Sequence, residues 1–144
     1  MPTQNYANHR RYVPMFHFVT FGLILVTLIG SCVNLVASWG NHQRIYSASL
    51  IVVVCLILLL LYVFVRAFAL RAQDRAIRAE ENLRHFVLTG TLLDPRLSIR
   101  QIIGLRFASD EEFIALSRRA LEENLSEEEI KRAVKSWRPD TYRV

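Results

Sequence analysis

FHFVTFGLILVTLIGSCVNLVASW, residues 16–39, and IYSASLIVVVCLILLLLYVFVRAF, residues 45–68, are separated by a short connection and contain no Asp, Glu or Lys. A hydrocarbon core of about 30 Å needs about 20 mostly apolar residues at a rise of about 1.5 Å each, and both stretches are long enough. A helix buried in a soluble protein can also be apolar all round, but a chain of 144 residues builds too small a core to hide two of them. The sequence therefore predicts an all-α protein that crosses a membrane twice. Its plan is an N-terminal segment (1–15), transmembrane helix 1 (16–39), an external turn (40–44) and transmembrane helix 2 (45–68).

The first apolar run exceeds the roughly 7 to 15 residues of a signal-peptide core, so the Val36-Ala37-Ser38 tripeptide is read as part of a span rather than a cleavage site. Basic residues flanking spans are retained on the cytoplasmic side. Arg10 and Arg11 precede the first span, Arg66, Arg71, Arg75 and Arg78 lie at or beyond the end of the second, and the connection carries only Arg44. Both termini are thus expected in the cytoplasm. Trp39, Tyr46 and Tyr62 suit the interfaces, where an apolar ring with a polar tip is favoured. The net charge of +5 is explained by this asymmetry, so no nucleic-acid partner is implied. Of the flanking arginines, Arg66, Arg71, Arg75 and Arg78 are candidates to touch anionic headgroups of the membrane lipids, at about 1 kcal/mol each when close to the surface, the more distal ones being expected as ordinary stalk surface.

So short a connection makes the two spans antiparallel neighbours, a transmembrane hairpin. Thr20, Thr27, Ser31, Asn34 and Ser38 recur at spacings of 7, 4, 3 and 4, which predicts a helix-packing stripe of small and polar side chains. Asn34, the most polar residue in either span, is expected to hydrogen-bond across helices. Pumps and secondary transporters depend on ionisable groups within the membrane, and none lies mid-span here.

The second helix continues past the membrane as RAFALRAQDRAIRAEENLRHFVL, rich in strong helix formers, to a stop at Gly90. This cytoplasmic stalk (69–90) carries predicted i,i+4 pairs, Asp74 with Arg78 and Glu80 with Arg84. Ala69, Ala72, Ala76, Ala79, Leu83 and Phe86 alternate spacings of 3 and 4, the pattern of a possible coiled-coil seam.

Residues 91–144 read as a small helical C-terminal module. Ser98 caps a helix holding Ile99, Ile102 and Ile103, which Gly104 weakens. Ser109 with Glu112 and Ser126 with Glu129 are capping boxes, and the second opens a helix expected to carry Ile130, Val134 and Trp137 on one face as far as Pro139. So small a module is expected to pack on the stalk, on another subunit or against the membrane. Trp137, Tyr142 and Arg143 form an aromatic–arginine cluster of the kind used at partner contacts; Trp137 is expected to pack beside the last helix, and Tyr142 and Arg143 are the better contact candidates.

Residues 4–18 (QNYANHRRYVPMFHF), 93–113 (LDPRLSIRQIIGLRFASDEEF) and 130–140 (IKRAVKSWRPD) resemble a family of small bacterial membrane proteins of unknown function. The resemblance implies two spans, a cytoplasmic helical tail and a bacterial inner-membrane location, and it brings no residue roles.

No sequence pattern of an enzyme is present. His9, His17, His42 and His85 form no HExxH or paired His/Cys motif, and there is no P-loop, GxGxxG or GxSxG, so no catalytic, cofactor-binding or metal residues are assigned. Cys32 and Cys55 fall inside the spans, where cysteine acts as a small apolar residue. The expected function is that of a membrane-anchored scaffold or accessory subunit, without cofactor, presenting a cytoplasmic helical surface to a protein partner or to further copies of itself. The alternative is a component of a small oligomeric channel or transporter.

Overall fold

The computed structural model describes residues 4–9 and 12–140. They fall into two compact units, Tyr12–Ala69 and a second that joins Met1–Arg11 to Leu70–Val144. Among the described residues every regular element is a helix, with no strand and a single isolated bridge between Ala108 and Trp137.

In the first unit the chain enters a π-helical turn, Met15–Thr20, and continues as α1, Phe21–Ala37. The wide opening turn has a local cause: the Thr20 hydroxyl donates to the Met15 carbonyl five residues back, at 2.9 Å. Gly40 reverses the chain at φ 86°, a left-handed conformation that glycine adopts without strain. The Asn41 side chain then accepts the Arg44 N–H at 3.2 Å, and α2, His42–Thr89, begins.

Phe16 stacks on Tyr62 with ring centroids 4.5 Å apart, and Ser31 and Ser38 of the first arm and Ala48 and Cys55 of α2 are buried. Small side chains at these positions let the backbones approach closely. The outer faces are bare: Val26 is 70% and Val36 72% exposed. Only 6% of the apolar window in Met15–Ala37 and 11% of that in His42–Thr89 is buried. These are two helices long and apolar enough to cross a bilayer, and neither is the hidden core helix of a globular domain.

The second unit is built on the last part of α2. Gly90, at φ 76°, closes that helix with its N–H on the Phe86 carbonyl at 2.8 Å. Three short helices follow: α3, Ile99–Leu105, α4, Asp110–Glu122, and α5, Glu127–Ala133. Each begins with a serine cap. Ser98 and Gln101 bond reciprocally, as do Ser126 and Glu129, and Glu112 reaches back to the Ser109 N–H at 3.4 Å. The Ser126 backbone N–H and hydroxyl hold the Glu129 carboxyl below its ordinary range.

Phe107, Phe113, Leu105 and Ile130 are fully buried at the centre, and Ile77 of α2 joins the same core. Gly104 is where α3 and α5 cross: a Cβ there would lie 3.0 Å from Ile130 Cγ2 and 3.1 Å from the Glu127 carbonyl. The residue that weakens α3 by propensity is therefore required by packing. The buried Gln101 amide donates to the carbonyls of Ala120 (3.0 Å) and Leu125 (3.1 Å), tying α3 to the end of α4, where Asn124 makes the left-handed turn at φ 50°.

One expected element is shorter than its sequence pattern. α5 stops at Ala133, and Val134 is extended at ψ 121°, so Trp137 is not on a helical face. The Glu112 carboxylate takes the N–H groups of Lys135 and Ser136, both at 3.1 Å. The chain then runs beside residues 107–109, with Ser109 N–H on Ser136 O (3.1 Å) and Arg138 N–H on Phe107 O (2.8 Å). Backbone N–H groups captured by a distant carboxylate are lost to the helix.

Candidate functional site

Gln4 to His9 form a strap that lies on the module. Gln4 makes two bonds with Asp140, accepting its N–H at 2.7 Å and donating to its carbonyl at 3.4 Å. The Tyr6 hydroxyl donates to Glu128 at 2.6 Å and accepts from the Arg132 guanidinium at 3.2 Å. His9, only 7% exposed, is surrounded by the rings of Tyr6, Phe107 and Trp137 at 5.7, 5.9 and 6.0 Å.

The imidazole is also tied at both nitrogens. Nδ1 lies 2.6 Å from the Tyr6 carbonyl, which can only accept, and Nε2 lies 3.3 Å from Lys131 Nζ. With the ring proton on Nδ1, Nε2 accepts from the ammonium. Lys131, itself buried, donates to Glu127 at 2.6 Å, so its charge is paired as burial demands.

A second cluster joins the stalk part of α2 to the module. The Arg84 guanidinium donates to the Ala108 carbonyl (2.7 Å), to Asp110 (2.7 Å) and to Glu81 (3.1 Å), and lies 4.3 Å over the Phe113 ring. Burial pushes the Glu81 carboxyl above its ordinary 4.5, against the pull of Arg84 and Arg138. The expected Glu80–Arg84 pair is thus replaced by Arg84 with Glu81 and Asp110. Arg78 donates to the Leu97 carbonyl at 3.4 Å in place of the expected Asp74 pair.

These clusters tie the strap and the stalk to the module. A shallow cleft of about 310 Å³ beside His85, Thr91, Leu97 and Arg118 has its histidine committed to the Thr91 carbonyl at 2.7 Å. Among the described residues no three His, Cys, Asp or Glu side chains gather as a metal site.

A family model matches residues 1–144. The chain belongs to DUF6526, a family of unknown function. No curated protein and no solved structure matches it. The family match covers the strap, both apolar helices and the module.

The structure divides the helix-packing stripe of the DUF6526 chain. Ser31 and Ser38 are buried, whereas Thr20, Thr27 and Asn34 are exposed on the outer side of the first arm. Thr27 satisfies its hydroxyl within its own helix, on the Leu23 carbonyl at 2.8 Å. Ala69 is half-buried, while Ala72, Ala76, Ala79, Leu83 and Phe86 are all exposed. Trp137 packs half-buried against Phe107 at 4.9 Å and against the strap. Tyr142 and Arg143 lie outside the described residues. The strap itself has no periodic signal in the sequence, since its hydrogen-bonding partners on the module lie more than 120 positions away.

Proposed function

We propose that this protein is a two-pass protein of the bacterial inner membrane that serves as a scaffold or accessory subunit, its strap and module forming one cytoplasmic surface for protein partners. The observation that carries this reading is the strap. Residues 4–9 lie before the two apolar helices and the module lies after them, yet His9 is buried among Phe107, Trp137 and Lys131. Two segments in contact are on the same side of any barrier that the intervening helices cross, which an even number of crossings provides. The bare apolar flanks of both helices and the arginines at the ends of the spans support membrane insertion with that side inward. The role would be placement: the spans set location and the module supplies contacts.

Purification of the intact protein in native nanodiscs, with mass determination of its companions, tests the reading. A stoichiometric companion that is lost when the chain is truncated after Leu88 is the expected result. A companion that stays without the module overturns the module as contact surface. A second reading, a subunit of an oligomeric channel, is favoured by one observation: Thr20, Thr27 and Asn34 recur every seven residues on an exposed face, where several copies could place them along a shared path. It predicts ion flux that Asn34→Leu abolishes.

A further inference from the structure

The module covers one side of the stalk and leaves the other open. Ile77 and Glu81 are buried and Arg84 and His85 half-buried beneath it. In a heptad frame with Ala72 and Ala79 at d and Ala76 and Leu83 at a, those residues occupy b, c and f, the side opposite an a/d seam. Ala69 at the start of the seam is half-buried, and the seam residues Ala72, Ala76, Ala79, Leu83 and Phe86 are exposed. They are not alanine alone: Leu83 is 63%, Phe86 51% and the adjoining Val87 74% exposed.

The flanks of the seam carry complementary charge. Arg75 falls at g and Glu80 at e, five residues later, the spacing at which g of one helix meets e of its partner in a parallel pair. Residues five apart on one helix do not face each other, and among the described residues neither Arg75 nor Glu80 forms an ion pair within the chain. The face is therefore self-complementary, as a two-fold interface between identical chains requires.

We propose that the occupant of this face is a second copy of the same chain, its stalk parallel and in register, with Ala72, Ala76 and Ala79 allowing close approach, Leu83 and Phe86 supplying most of the apolar area, and Arg75 of each copy facing Glu80 of the other. The parallel direction rests on the membrane reading, because copies inserted with the same topology have parallel stalks.

Disulfide trapping in native membranes tests this. In a full-length chain with Cys32 and Cys55 replaced by Ala, Ala79→Cys brings its thiol to the two-fold axis, and Arg71→Cys at c points away. Oxidation is expected to give about tenfold more disulfide dimer from Ala79→Cys, since only facing cysteines meet disulfide geometry. Arg75→Glu in that background should lower trapping about fivefold, through two like-charge contacts per dimer, and the double exchange Arg75→Glu with Glu80→Arg should restore it. Leu83→Asp, at an exposed position that leaves the module core untouched, should abolish trapping.

Equal trapping from Ala79→Cys and Arg71→Cys, failure of the double exchange to restore it, or linkage of Ala79→Cys to a different polypeptide would overturn the proposal. A membrane-impermeant maleimide applied to Asn41→Cys and to the stalk cysteines separates the two readings. Labelling of both from one face removes the membrane reading and the parallel constraint together, whereas opposite-face labelling with untrapped stalks removes the pairing alone.

Discussion

Replacing His9 with alanine should release the strap from the module. The imidazole is 7% exposed, and truncating a buried ring of this size costs about 2 kcal/mol in lost packing. Its contacts with Phe107 and Trp137 at 5.9 and 6.0 Å add about 0.5 to 1 kcal/mol, while Lys131 keeps Glu127 as a partner at 2.6 Å. The sum, about 2.5 to 3 kcal/mol, shifts the docking equilibrium about 70- to 150-fold. Such a shift is decisive for a short segment, because the remaining strap hydrogen bonds contribute about 1 kcal/mol each against about 1 to 2 kcal/mol of backbone ordering per residue.

The assay uses Trp39→Phe, at a residue 81% exposed, so that Trp137 is the sole emitter. His9→Ala should shift its emission to the red and speed exchange of the Asp140 N–H, which Gln4 accepts at 2.7 Å. Tyr6→Phe, which loses the hydroxyl's bonds to the half-exposed Glu128 and to Arg132, should cost about 1 to 2 kcal/mol and shift docking about five- to thirtyfold. Unchanged emission and unchanged Asp140 protection in His9→Ala would refute the reasoning.

Gly104→Ala should lower the thermal midpoint, because the clash at 3.0 to 3.1 Å with Ile130 and the Glu127 carbonyl costs about 1 to 3 kcal/mol and exceeds the gain of about 1 kcal/mol in helix propensity. Glu81 has a folded pKa raised by burial above its ordinary 4.5, so the folded state holds this proton more tightly. Its contribution is greatest below that ordinary value and is lost as pH rises through the folded pKa. Glu81→Gln should flatten that slope in thermal midpoints measured from pH 4 to 8, a range set about the carboxylate reference. Asp94, held at about 2 by hydrogen bonds from Arg96, should titrate nearer the usual carboxylate range in Arg96→Ala, read by carboxyl NMR shifts. Asn34→Leu should leave the hairpin's stability unchanged, since Asn34 faces outward. A loss of α1–α2 association by distance measurement would contradict that placement.

What the sequence discloses and what it hides divide along local and non-local causes. The caps at Ser109 and Ser126, the stop at Gly90 and the two apolar helices depend on residues within one turn or on composition, and each is visible in the chain. Gln101 closes the Ser98 cap in the same serine–glutamine spacing and was equally readable. The end of α5 was not, because Ala133, Val134 and Lys135 continue a helical pattern and only the distant Glu112 withdraws the N–H groups that the helix needs. Likewise Arg84 has a sequence-adjacent carboxylate at Glu80, but tertiary packing places Asp110 and the Ala108 carbonyl within its fork. Polar spacing on α1 picked out all five positions alike and could not say that Thr20, Thr27 and Asn34 turn outward, since Ser31 and Ser38 are offset from them by three or four residues, about 40 to 60° around a helix of 3.6 residues per turn.

The most direct test of the account is the sidedness of single cysteines in sealed inner-membrane vesicles, with Cys32 and Cys55 replaced by Ala. Asn5→Cys in the strap and Glu123→Cys in the module should react with a membrane-impermeant maleimide from the same face, and Asn41→Cys in the turn only from the opposite one. Reaction of Asn41→Cys from the face that exposes the strap and module would contradict a two-pass protein.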